Sequence, residues 1–152
     1  MKFRALKENE IECRIGQVAK DNSWITLLLY KDQRTDANVL DETVKPENWQ
    51  DRYYEVKGNL YCSVGIKCGG EWVWKDNCGT ESNTEAEKGE ASDAFKRACF
   101  NWGIGRELYT APVIEIPADK CYINNGKCYD KFIVEKIAIE NKRITGLAIF
   151  NT

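Results

Sequence analysis

The chain has 152 residues, 43% of them hydrophobic and 30% charged, and its 22 Lys and Arg against 24 Asp and Glu leave a net charge of -2. This is the make-up of one globular domain that can bury a core without staples, and it excludes a disordered segment. With no His, Cys/His zinc sites and Ser–His or Cys–His nucleophile pairs are excluded; the acidic balance argues against a basic nucleic-acid-binding body but leaves the placement of individual cations open.

In chain order, IECRIGQV at Ile11 to Val18 alternates apolar and polar residues, the pattern of a half-buried strand. After a DNS turn at 21–23, WITLLLY at Trp24 to Tyr30 reads as a second, more buried strand, and the two predict a hairpin. Arg34 to Val44 changes period. Ala37, Leu40 and Val44 share a helical face, Asp36 lies near the N-terminal end where the dipole favours an anion, and Pro46 ends the helix. Strands from Trp49, Leu60 and Glu71 follow, turned at Gly58-Asn59 and Gly69-Gly70, which makes a β-meander. Alternation in EWVWK puts Trp72 and Trp74 on one face, and core burial is the expectation for them.

A long helix comes next. Thr84 and Glu87 have capping-box spacing, Ala91, Ala94, Phe95, Ala98, Cys99 and Trp102 form one apolar stripe, and Gly103 suits the residue after the helix. A small hairpin is expected around Asn124-Asn125-Gly126, then a closing hairpin of KFIVEKIAI from Lys131 and RITGLAIF from Arg143, turned by ENK. Strands in runs with helices set apart predict an α+β class. The expected architecture is an antiparallel β-meander packed on a long helix, a core of about 49–103, with additional N- and C-terminal β-hairpins in a single domain over 1–152.

The seven Cys, at 13, 62, 68, 78, 99, 121 and 128, are odd in number and lack any C-x-x-C, so they do not spell a metal framework. Cys62 and Cys99 fall in strand and helix patterns and read as small core residues. MKFRALKENE carries no apolar leader segment, and no run approaches the roughly 18 apolar residues of a membrane span, so a reducing cytoplasm is the expected compartment. No phosphate-cradling G-x-x-x-x-G-K-[ST] or G-x-G-x-x-G is present, so no ATP-driven mechanism is expected. Glu85, Glu87, Glu90 and Asp93, like Asp36, Asp41 and Glu42, read as dipole complements and solvating charge. A metal-dependent hydrolase or nuclease would need two or three carboxylates selected as ligands, and no spacing selects them.

The cations are more telling. Lys96 and Arg97 project on opposite flanks of the helix's polar side, at ~130° from the stripe centre. Asp93, four residues before Arg97, offers an ion pair that would account for it. Phe100 falls nearly opposite the stripe and asks for cover from elsewhere in the chain, a second subunit or a ligand. Arg34, Arg52, Lys57, Lys67, Lys75 and Arg106 join the basic pair if the meander and both helices share a groove.

GTESNTEAEKGEASDAFKRACFNWGIGRELY, with its S/T-D-x-x-K-R-A element and W-G exit, resembles the helix of the Rad-fifty-two-type single-strand DNA annealing proteins, above all their short phage and bacterial branch. LLLYKDQRTDANVLDETVKPENWQDRYYEVKGNLYCSVGIK is similar to the preceding helix and hairpin, and the resemblance covers about Leu27 to Tyr109. It implies a β-β-β-α core, assembly as a homo-oligomeric ring or helical array, and a basic groove that holds single-stranded DNA by its backbone. Lys96 and Arg97 match the family's basic pair, and Arg34 matches a groove arginine at the start of the preceding helix; Arg52, Lys67 and Arg106 complete the expected DNA-binding set. Two positions depart from the pattern. Phe100 stands where eukaryotic members carry a further basic residue, and Lys45 replaces the glycine usual before a PENW-like segment.

The expected function is ATP-independent binding and annealing of single strands in phage or mobile-element recombination and repair. No catalytic residue, cofactor, metal or membrane is expected, and a host single-strand-binding protein or recombinase is a candidate partner. The alternative is a non-catalytic interaction module that binds host recombination factors through acidic surface and exposed aromatics such as Trp72 and Trp74.

Overall fold

The computed structural model describes residues 2–80 and 86–152, the side chains of 86–88 excepted. The chain forms two compact units, Met1–Arg4 with Asp32–Gly105, and Ala5–Lys31 with Arg106–Thr152, so that the first interrupts the sequence of the second.

In the first unit, helix α1 spans Gln33–Val44 and begins where the Asp32 side chain accepts the Thr35 N–H at 2.8 Å. Asp36, expected to serve solubility at the helix start, is instead fully buried. Asp41 accepts the Trp49 indole N–H at 2.7 Å, and Glu42 accepts from Arg4 Nε at 2.6 Å. The helix ends at Lys45, whose φ of 78° and ψ of 148° carry the chain into Pro46.

Strands β3 (Trp49–Val56), β4 (Asn59–Cys68) and β5 (Glu71–Cys78) form an antiparallel sheet in that order. The β3–β4 turn is Lys57-Gly58, both at positive φ, one residue earlier than the Gly58-Asn59 turn expected from sequence, because Asn59 already pairs with Val56. Two left-handed residues match the twist of the strands they join. Gly69-Gly70 turns β4 into β5.

Helix α2 spans Ala86–Asn101, 16 residues. It is shorter than the apolar stripe suggested: Trp102 lies beyond it, and the Ile104 N–H closes back on the Cys99 carbonyl at 3.1 Å over Gly103. The Thr84–Glu87 capping pair and Glu85 lie outside the described residues or side chains. On this helix Ala94, Ala98 and Cys99 are fully buried, as are Cys62, Val64 and Ile66 on β4. Helix α2 packs on β4 and β5. Small residues permit a close approach: a Cβ on Gly79 would stand 2.2 Å from the Glu90 carbonyl oxygen. Polar bonds stitch the two layers, with Trp102 Nε1 donating to the Val64 carbonyl at 2.9 Å and the Leu60 N–H donating to Glu90 Oε1 at 3.0 Å. Burial pushes the Cys62 thiol up to about 12, as suits an inert core residue.

The second unit is a sheet of β1 (Glu12–Val18), β2 (Trp24–Tyr30), β6 (Ile114–Pro117), β7 (Phe132–Glu140) and β8 (Arg143–Asn151), ordered β6-β2-β1-β7-β8 and antiparallel at every named pairing. Both expected terminal hairpins are there, but they are not appendages: Glu12 pairs with Ile133 and joins them into one sheet, and β6 extends it beyond β2. Ile25, Leu27, Cys128 and Phe132 form its core, with Cys13, Ile15, Ile114, Ile116 and Cys121 packed on them. All seven Cys are free thiols. Among the described residues no helix is long and apolar enough to cross a membrane.

Candidate nucleic-acid interface

The antiparallel register sorts the side chains of β3-β4-β5 onto two faces, since directly paired residues share a face and neighbours along a strand alternate. Cys62, Val64 and Ile66, with Trp49 and Asn77 opposite them, take the face that receives α2. Trp49 meets Phe95 at 6.0 Å between ring centroids, and Asn77 reaches the Arg97 carbonyl. The other face carries Tyr54 with Tyr61, Arg52 with Ser63 and Asp76, Gly65 with Trp74, and Lys67 with Trp72.

Lys96 and Arg97 lie on α2, both half-buried. Arg97 Nε donates to Asp93 Oδ2 at 2.8 Å, the ion pair expected from their spacing. Asp93 accepts two further hydrogen bonds from Thr80, from its N–H at 2.9 Å and its hydroxyl at 3.1 Å. Burial pushes the Asp93 carboxyl up, but the Arg97 guanidinium and the Thr80 donors outweigh it and hold the group below its ordinary value. A guanidinium held through Nε has its plane fixed, which suits recognition of a phosphate. Phe100, beside this pair, is half-buried.

Arg34 is exposed on the first turn of α1. A cation there opposes the helix dipole, so helix stability does not explain its placement. Arg52 and Lys67 are both on the face of the sheet turned away from α2, and both are exposed. Lys75 lies on the helix-side face with its Nζ 5.1 Å from the Trp102 ring centroid, and Lys57 is in the β3–β4 turn. Arg106 is exposed in the second unit. The structure thus places Lys96 and Arg97 on α2, Arg52 and Lys67 on the open face of the sheet, and Arg34 on α1.

Sequence reasoning expected core burial for Trp72 and Trp74, gave their exposure only in the alternative reading, and missed Tyr54 and Tyr61 on the same open face. Trp72 and Trp74 do share a face, but not a core: Trp72 is 38% exposed and Trp74 half-buried, because α2 covers the opposite side. Tyr54, 39% exposed, stacks on Tyr61 with centroids 5.4 Å apart and planes 12° apart. Arg52 lays its guanidinium over the Trp74 ring at 4.1 Å. The signal that could have found this face is the alternation within each strand carried through the two turns, which pairs Tyr54 with Tyr61 and sets Arg52, Trp72 and Trp74 on the same side.

Two carboxylates of α2 serve the fold. Glu90 and Asp93 accept backbone N–H groups from the strand ends. Among the described residues no three His, Cys, Asp or Glu side chains come together as a metal site requires.

Comparison with known proteins gives this geometry a family. The chain is similar to a single-stranded DNA-binding protein, DdrA, of Deinococcus deserti, with 32% identity over 99 residues, covering 64% of this chain and 49% of the relative. The chain spans about half the length of that curated relative. No solved structure matches the chain. Residues 3–120 match the model of the Rad52/22 family double-strand break repair proteins, a stretch that contains α1, the whole β3-β4-β5 sheet, α2 and every expected DNA-contacting cation, and the chain belongs to that family.

Proposed function

We propose that the chain binds single-stranded DNA and anneals complementary strands without ATP, as a homo-oligomeric ring or helical array acting in recombination and repair of a phage or mobile element in the host cytoplasm. The observation that carries this reading is the Lys96–Arg97 pair on α2, its arginine oriented by Asp93, in a chain of the Rad52/22 family. The similarity to a protein named for binding single-stranded DNA supports the same ligand. Annealing is downhill, so the protein need only neutralise phosphate repulsion, hold strands open and let the duplex go; no nucleotide hydrolysis, catalytic group or cofactor is called for. Cations aligned on backbone phosphates give binding that is independent of sequence and weakened by salt. Many copies in a ring would multiply weak contacts.

Reversing both charges, Lys96→Glu with Arg97→Glu, abolishes annealing of complementary oligonucleotides and flattens the salt dependence of binding by about one unit of slope for each phosphate no longer neutralised. Size measurement with and without single-stranded DNA accompanies the assay. A protein that stays monomeric and binds no oligonucleotide at low salt overturns the reading. Loss of annealing with retained capture of a host recombination factor separates it from the interaction-module alternative.

A further inference from the structure

We propose that the open face of the β3-β4-β5 sheet is a stacking platform for the bases of single-stranded DNA, a second contact surface distinct from the cations of α2. This rests on the single-strand-binding reading above. The aromatic rings lie at both ends of the face: Tyr54 on Tyr61 at one end, and Trp72 beside Trp74, with centroids 6.2 Å apart and planes 31° apart, at the other. Gly65 makes the second group possible. It stands opposite Trp74 on the central strand, and a Cβ there would lie 2.7 Å from the indole. With no side chain in the way, the indole lies across β4 and meets Arg52, which comes from the far strand, at 4.1 Å. A guanidinium plane on an indole is itself a surface on which a base stacks.

The charges suit a polyanion. Arg52 and Lys67 are exposed on this face. The one carboxylate at its paired register positions, Asp76, accepts the Ser63 hydroxyl at 2.6 Å and the Tyr54 hydroxyl, so each of its oxygens already holds a donor of the face itself. The hydrogen bond to Asp76 in turn pushes the Tyr54 phenol up to about 12, and the ring stays neutral.

Spacing selects the ligand's form. Residues two apart on one strand lie about 6.8 Å apart, roughly twice the 3.4 Å rise per nucleotide of a stacked strand. A stacked strand would put only every second base in register with such rows; laying successive bases on the rings requires them to be unstacked, which single strands allow and a duplex forbids. Stacking accepts any base, in keeping with a sequence-independent binder.

The test uses the full chain with two fluorescent probes of equal length and charge, an oligo-dT and an abasic strand. The wild-type protein should bind oligo-dT more tightly. Trp72→Ala, at an exposed position, should weaken oligo-dT binding by about tenfold, with abasic-strand binding, thermal midpoint and oligomer size unchanged. Trp72→Phe should restore most of the loss. Equal weakening on both probes, or no change on either, overturns the platform. So does a change of oligomer size with unchanged oligo-dT affinity, which would make the face a contact between copies of this chain. If the wild-type protein binds neither probe, the single-strand reading fails and the platform with it; if it binds both and Trp72→Ala binds like wild type, the platform alone fails.

Discussion

The two faces of the β3-β4-β5 sheet come from the same three strands and put large side chains to opposite uses. Toward α2, the central strand offers Cys62, Val64 and Ile66, all fully buried against Ala94, Ala98 and Cys99. Away from α2, the same strands offer rings and cations, with Trp72 38% and Tyr54 39% exposed. The helix-side residues of the central strand are small or aliphatic because a helix must come close enough for the Gly79 backbone to touch that of Glu90. The open-face residues are broad and flat, and they are braced by one another: Tyr54 on Tyr61, and Arg52 on Trp74. Aromatic residues that a core would normally claim are thus held at the surface by cation–π and stacking contacts, each worth about 0.5–1.5 kcal/mol. That is enough to order them without removing them from solvent.

If the faces divide labour in this way, stability should respond on one and binding on the other. Ile66→Ala opens a cavity on the helix side and should cost about 3 kcal/mol, read as a shift in the denaturant midpoint. Gly79→Ala forces β5 away from α2 and should cost about 2 kcal/mol, with Ala94 amide exchange accelerating alongside. Lys45→Gly touches neither face. It relieves a non-glycine residue held at φ 78° and should stabilise by about 1 kcal/mol, raising the thermal midpoint. Asp93 tests the polar border of the helix side. Its folded-state pKa is depressed from 3.8, so its contribution is present above that value and disappears as the pH falls through the folded-state pKa. Asp93→Asn should therefore lower stability at neutral pH and remove part of the acid-limb loss seen in wild type. Trp72→Ala should change stability least, within about 0.5 kcal/mol; a loss comparable to that of Ile66→Ala would erase the distinction between the faces.

Legibility followed the range of the interactions. The strand and helix periods of the first unit were readable because each depends on neighbours a few residues away. The Ala94–Ala98–Cys99 stripe is buried as its spacing implied, and Gly103 closes the helix end. The one-residue error at Lys57-Gly58 arose because a lysine took a left-handed conformation that composition alone would assign to Gly or Asn. Lys45 shows the converse. The sequence marks it only as standing where the resemblance expects a glycine, and it takes a positive φ there. For the candidate site, Arg97 and its Asp93 partner were legible from four-residue spacing. That Arg52 and Lys67 belong to a different surface from Lys96 was not, because strand phase says which residues agree, not which face is covered. Strand β6, four residues long, carries too short an alternation to be recognised without the β2 edge it pairs with.

By itself the amino-acid sequence determined the α+β class, the order and phase of the meander, the buried stripe of α2 and the cationic pair on its polar side. All of these rest on the periods of strand and helix and on turn chemistry, which act within a few residues. Only the tertiary structure decided that Trp72 and Trp74 face away from the core, that Asp36 is buried, and that the two terminal hairpins share a sheet with β6. Each of those depends on contacts between segments far apart in the chain, and covering one face of a sheet leaves the other open whatever its residues are.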